Sequence, residues 1–173
     1  MTMWVFGYGS LLWNPGFEPA EAVTATLNGY HRSFCMLSIH HRGTVKEPGL
    51  VLALDASKGS CVGVAFRVAK ADETRVLEEL RARELISSAY EEAHVPLALE
   101  DGRDVQALAY VINPAHEQYC NFDLETQAQM IARSVGGRGP NPEYLFNTAD
   151  HLVHMGINDP DMAWLVTRVR ALT

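Results

Sequence analysis

Four short stretches of the chain carry residue types that chemistry can use. The first is Gly7-Tyr8-Gly9-Ser10, directly after an apolar run of Met, Trp, Val and Phe. Two glycines at this spacing permit φ values that turn several backbone N–H groups into one concavity, an anion cradle. It is not a nucleotide fingerprint. Leu12 stands where G-x-G-x-x-G needs its third glycine, no acidic residue follows at the required offset, and no Walker loop occurs. A strand-ending turn around a buried tyrosine explains the same residues equally well.

The second is Glu84. At about 100° per residue, Val76, Leu77, Leu80 and Glu84 share a roughly 100° arc of one helix, whereas Glu78 and Glu79 point elsewhere. Burial disfavours the charged form of a carboxyl and raises its pKa, which suits a glutamate on that stripe to accept a proton near neutral pH. The competing reading is a helix that frays first, leaving Glu84 in water or paired with Arg81 or Arg83.

The third is His40-His41-Arg42-Gly43. Adjacent histidines in an extended segment face opposite sides, and no further ligand stands at a suitable spacing, so no metal is expected. Arg42 has the planar fork that grips carboxylates bidentately, although a solvated loop charge is the common fate of such a residue. Farther on, residues 137–146 combine a flexible loop, a helix start that favours anions, and Tyr144 early in that helix. Asn141-Pro142 is also a plain helix-start signal, and Tyr144 fits ordinary packing. Ser10 lacks the Gly-x-Ser-x-Gly setting of a hydrolase nucleophile, and nothing in the sequence supports Cys35 or Cys120 as nucleophiles.

The elements that must position these residues are legible as strands first and helices later. A strand is expected from Met3 to Gly7, and one or two more between Ala22 and Leu37, broken near Asn28-Gly29. Residues 38–48 read as a loop. Leu50 to Leu54 and Val62 to Val68 read as a hairpin around the polar residues 55–60. Asp72 is placed to cap a helix running to about Glu84, and Tyr90 to Leu99 with Val105 to Ile112 make a second hairpin around Glu-Asp-Gly-Arg. A helix from about Leu124 to Val135 stops at Gly136-Gly137, Asn141 and Asp159 each cap a helix that starts on proline, and Gly156 closes the first of these two. This order predicts an α+β fold, with 173 residues suited to a single domain spanning the chain.

Composition narrows the class. Fourteen Lys and Arg against twenty-one Asp and Glu give a net charge of -7, with no basic run, so nucleic acid and anionic membranes are not expected partners. Cys35, Cys61 and Cys120 are odd in number and unpatterned, which predicts reduced, buried thiols. The N-terminus lacks the charged lead and the apolar length of a signal peptide, and no apolar stretch approaches ~18 residues, so a cytoplasmic location is expected.

Taken in order, Trp4-Val-Phe-Gly-Tyr-Gly-Ser-Leu-Leu-Trp13, the loop from Ser38 to Gly43 with Pro48-Gly49, Arg83-Glu84, Tyr90 and Asn141-Pro-Glu-Tyr-Leu-Phe146 resemble the ChaC family of γ-glutamylcyclotransferases over nearly the whole chain. The resemblance implies a small mixed β-barrel flanked by helices that works without metal or cofactor on a small molecule, glutathione. The γ-glutamyl α-amine attacks its own side-chain carbonyl, giving 5-oxoproline and Cys-Gly. By the same resemblance Glu84 takes the proton from the ammonium. The segment Gly7, Tyr8, Gly9, Ser10 and Leu11 holds the γ-glutamyl head group, and Arg42 and Tyr144 match positions near the substrate. Family members often carry a glycine before the pattern's tyrosine, whereas this chain reads Leu85-Ile-Ser-Ser-Ala-Tyr90. Two other readings stay open: a cyclotransferase for another γ-glutamyl amine or peptide, and a non-catalytic γ-glutamyl-binding module, for which a poised base has no use.

Overall fold

The computed structural model describes residues 2–85 and 88–173. Ile86 and Ser87 lie outside the described residues, so the stretch that departs from the family pattern is seen only at Leu85, Ser88 and Ala89. The chain divides into two compact units, Met1–Ser33 with Ala53–His116, and Phe34–Leu52 with Glu117–Thr173.

The strands are β1 (Trp4–Gly7), β2 (Glu21–Ser38), β3 (Gly49–Arg67), β4 (Tyr90–Leu99) and β5 (Asp104–Ile112). They close into a barrel in the order β1-β3-β2-β4-β5, sealed by a parallel pairing of Val5 with Leu108. β1 with β3, β2 with β4 and β4 with β5 pair antiparallel, so the sheet is mixed and the fold is α+β.

Two expectations about these strands need correction. The predicted break at Asn28-Gly29 and the predicted hairpin at residues 55–60 do not occur; β2 and β3 run unbroken through both. Gly29 does take a positive φ of 90°, but inside a continuing strand. Strand pairing satisfies the backbone through polar, solvent-facing residues that would otherwise signal a turn. The β4–β5 hairpin forms as expected, with Gly102 at φ 95° in its turn.

In the first unit, α1 (Glu73–Glu84) packs Val76 and Leu80 into a core cluster with Val5, Leu11, Val68 and Tyr110, against which Met3, Phe17 and Tyr90 also lie. Each fully buried Val or Leu contributes ~1.5–3 kcal/mol, so this cluster anchors both the turn after β1 and the helix that ends in Glu84. Asp72 makes no capping bond to α1; its carboxylate lies 3.4 Å from Arg75 instead.

The second unit contains α2 (Leu124–Arg133), the ribbon of β6 (Val135–Gly136) with β7 (Gly139–Pro140), α3 (Asn141–His154) and α4 (Pro160–Leu172). Asp123 and Asp159 cap α2 and α4 by accepting from Thr126 N–H (2.8 Å) and Met162 N–H (3.2 Å). Gly156, at φ 71°, closes α3 with paired bonds from Gly156 N–H to Val153 and Ile157 N–H to Leu152. Asn141 does not cap α3. Its buried amide leaves the helix and pairs with Leu50, accepting from the N–H (2.8 Å) and donating to the carbonyl (2.9 Å). A side-chain amide offers the same donor and acceptor as a peptide group, so Asn141 acts there as a strand partner.

Candidate active site

In the first unit the turn after β1 is shaped by close packing. Gly7 pairs with Val64, and a Cβ on it would lie 2.9 Å from the ring of Phe66. The expected unusual φ values are absent, since neither Gly7 nor Gly9 has a positive φ. From Gly9 the chain enters a single 3₁₀ turn, Ser10–Leu12, with Leu12 N–H bonded to Gly9 O (2.9 Å) and Asn14 N–H to Ser10 O (3.0 Å). Tyr8, Leu11 and Leu12 are buried.

Two arginines fasten this turn. Arg32, on β2 and only 8% exposed, donates from Nε to Tyr8 O (2.7 Å) and from Nη2 to Val62 O (2.5 Å). Arg83 donates to Asn14 O (2.7 Å) and to the Ser10 hydroxyl (3.1 Å), while its Nε lies 3.5 Å from Glu84 Oε1. One guanidinium thus links the turn to the carboxylate at the end of α1.

The helix reaches Glu84 intact, and the Glu84 side chain is 15% exposed. Burial pushes its carboxyl above the ordinary glutamate range, and the Arg83 charge partly offsets this. The carbonyl ends of α1 act in the same direction as burial. Glu92 shows the opposite case nearby in sequence. It receives both Arg81 donors (3.0 and 2.9 Å) and the Tyr110 hydroxyl (3.0 Å), and the Arg81 bonds hold it below the usual range. The two side chains are similarly shielded, and the donors that Glu92 has and the largely desolvated Glu84 lacks set their pKa values apart.

In the second unit, Arg42 and Tyr144 meet. The guanidinium lies over the Tyr144 ring, 5.8 Å from its centroid, and donates to Pro140 O (3.2 Å). The ring is set edge-on to Phe34 at 6.1 Å, and its hydroxyl accepts from Leu52 N–H (3.2 Å). The loop carrying Arg42 is held by backbone contact. Gly137 N–H and Arg138 N–H bond to His40 O (2.7 Å) and His41 O (2.8 Å), and a Cβ on Gly43 or Gly49 would overlap neighbouring backbone. His40 and His41 are exposed. Burial and the Arg138, His40 and Arg42 charges pull the His41 pKa down. Among the described residues no group of three or more His, Cys, Asp or Glu is placed to hold a metal ion.

The structure therefore joins Tyr8 to Leu11 with Glu84 in one unit and Arg42 with Tyr144 in the other. Sequence reasoning missed Arg32. Its one available signal was an arginine inside the run Leu27 to Leu37, where strand patterning makes a charge costly.

Comparison with known proteins adds the context. Residues 3–172 match the family model described as ChaC-like protein. The chain is 38% identical over 174 residues to the glutathione-specific gamma-glutamylcyclotransferase of Escherichia coli strain K12, covering 98% of this chain and 74% of that one. It is 34% identical to glutathione-specific gamma-glutamylcyclotransferase 1 of Homo sapiens, covering 97% and 78%. The crystal structure of a yeast gamma-glutamyl cyclotransferase specific to glutathione superposes with a TM-score of 0.86 at 23% identity, over 98% of this chain and 96% of that one, and shows the same fold.

Proposed function

The chain belongs to the ChaC-like protein family, and from that premise we propose that it is a γ-glutamylcyclotransferase converting glutathione to 5-oxoproline and Cys-Gly. Relatives bearing that activity in their names align over nearly its entire length, which supports glutathione as the substrate and residues 3–172 as one functional domain. The observation that carries the chemistry is Glu84, a buried carboxyl raised in pKa and tied through Arg83 to the Ser10 hydroxyl.

The reaction exchanges one amide for another and consumes no water. The substrate's α-ammonium must lose a proton before its nitrogen can attack the γ-carbonyl, so a base within hydrogen-bond reach is required. Glu84 is that base in this reading, and it returns this proton to the nitrogen of Cys-Gly as the old C–N bond breaks. The second proton that the attacking nitrogen sheds on becoming the lactam N–H passes to the released amine, which leaves as an ammonium. The ring closes within one molecule, so holding the γ-glutamyl chain folded supplies much of the acceleration, on the order of 7–11 kcal/mol in well-oriented systems. Gly7, Tyr8, Gly9, Ser10 and Leu11 hold the γ-glutamyl head group in this reading, and Arg42 beside the Tyr144 ring offers a cation suited to a carboxylate. A cytoplasmic location suits this chemistry. Among the described residues no helix is long and apolar enough to cross a membrane.

The deciding experiment offers purified protein glutathione and, separately, other γ-glutamyl dipeptides, and measures 5-oxoproline with and without a chelator. Release from glutathione ahead of the other substrates, unaffected by chelation, is expected. No release from glutathione overturns the reading.

A further inference from the structure

The guanidinium of Arg32 sits where the β1 ladder ends. Gly7 still pairs with Val64, so in that register Tyr8 faces Gly63, but the Tyr8 carbonyl is taken by Arg32 Nε at 2.7 Å. The same side chain reaches Val62 O at 2.5 Å, so one rigid fork spans two backbone segments at once. No peptide bond of the described chain is cis. In a trans peptide the carbonyl and the following N–H point in opposite directions, so clamping Tyr8 O aims the Gly9 N–H away from Arg32. The positive charge behind the carbonyl also polarises this peptide and strengthens Gly9 as a donor.

We propose that Arg32 is a positioning residue which, through the Tyr8–Gly9 peptide, directs the Gly9 N–H at the γ-glutamyl head group of the substrate. This rests on the reading that the turn from Tyr8 to Leu11 holds that group. It assigns to Arg32 a part in recognition that is separate from proton transfer at Glu84. A glycine leaves the Tyr8–Gly9 peptide plane free to rotate, so something outside the turn must choose its orientation. The turn's own bonds run from Leu12 to Gly9 O and from Asn14 to Ser10 O, and neither restrains that plane directly.

Arg32→Lys tests this, since it keeps a charge but offers one point donor in place of a two-carbonyl fork. A hydrogen bond used equally in substrate and transition state appears in KM, so KM for glutathione should rise on the order of tenfold with kcat nearly unchanged. In parallel, ¹⁵N-labelled Glu84→Gln protein, which binds and turns over far more slowly in this scheme, is titrated with glutathione while the Gly9 amide resonance is followed. The resonance should move with Arg32 present and move far less in the Arg32→Lys, Glu84→Gln double variant. A folded Arg32→Lys enzyme with wild-type KM, or one losing only kcat, overturns the proposal. Should Arg32→Lys fail to fold, the titration with Arg32 intact decides: a Gly9 amide that ignores glutathione overturns the proposal, and one that shifts supports it. Wild-type protein that releases no 5-oxoproline from glutathione would instead sink the reading of the activity.

Discussion

The two units hold their candidate site residues by opposite means. Around Tyr8, Ser10 and Glu84 the backbone is pinned by charged side chains, Arg32 on the Tyr8 carbonyl and Arg83 on Asn14 and Ser10. Around Arg42 and Tyr144 it is pinned by backbone pressed on backbone at glycines, and by the neutral amide of Asn141 on Leu50. A scaffold built from guanidinium groups also sets the local field, and Arg83 offsets the burial of Glu84 with the same group that fastens the turn. A scaffold built from neutral groups leaves charge to residues such as Arg42 that stand on it. Substitutions at Glu84 and Arg83 should therefore alter rate and pH dependence, and those at Asn141 and Arg42 should alter stability or affinity.

The largest expected effect is on turnover by Glu84→Gln, which keeps shape and removes basicity. Release of 5-oxoproline should fall ~10²–10⁴-fold while the fold persists. Burial raises the folded-state pKa of Glu84 above its unfolded value. The stability this group contributes is therefore present below the unfolded pKa and lost as pH rises through the folded one. The variant should melt at or above wild type at neutral pH, with the gap closing toward acid. Near wild-type turnover by folded variant would break the comparison at its centre.

Asn141→Ala should act on stability, because it strands the buried N–H and carbonyl of Leu50. A loss of about 2–4 kcal/mol in urea unfolding is expected, from two unsatisfied groups. A variant with unchanged stability would remove the asparagine from the scaffold. Arg42→Lys should be milder, lowering kcat/KM by about 1–3 kcal/mol through loss of the planar fork. If kcat/KM for glutathione stays at wild type, Arg42 belongs to the solvent and the second unit's charge has no part in recognition.

The smallest effect is also the sharpest test of field tuning. The acid limb of kcat/KM against pH should lie above the ordinary glutamate value of about 4.3. Arg83→Gln should shift it higher still, because the charge that offsets burial at Glu84 is gone. A limb that stays in place would show that Arg83 fastens the turn without tuning the base.

Local signals in the sequence were enough for the parts of the molecule that depend on neighbours in the chain. The stripe of Val76, Leu80 and Glu84 is a matter of 3.6-residue periodicity, and it places the carboxylate on the buried side of α1. Gly102 in its turn, Gly156 at the end of α3 and Asp159 at the start of α4 obey rules of backbone freedom and capping that span a few residues. Motif order carried the family.

What only the tertiary structure decided are the places where a local signal met a distant partner. Residues 55–60 look like a turn, yet stay extended as part of the long barrel strand β3. Asn141 looks like a helix cap, yet its amide goes to Leu50, 91 residues away, because the peptide groups there need a partner more than the helix end does. Asp72 turns to Arg75, and Arg32 gains its role only when β2 brings it beneath the Tyr8 carbonyl. A hydrogen-bonding side chain declares in the sequence that it will be satisfied, but which group satisfies it depends on what the folded chain sets beside it.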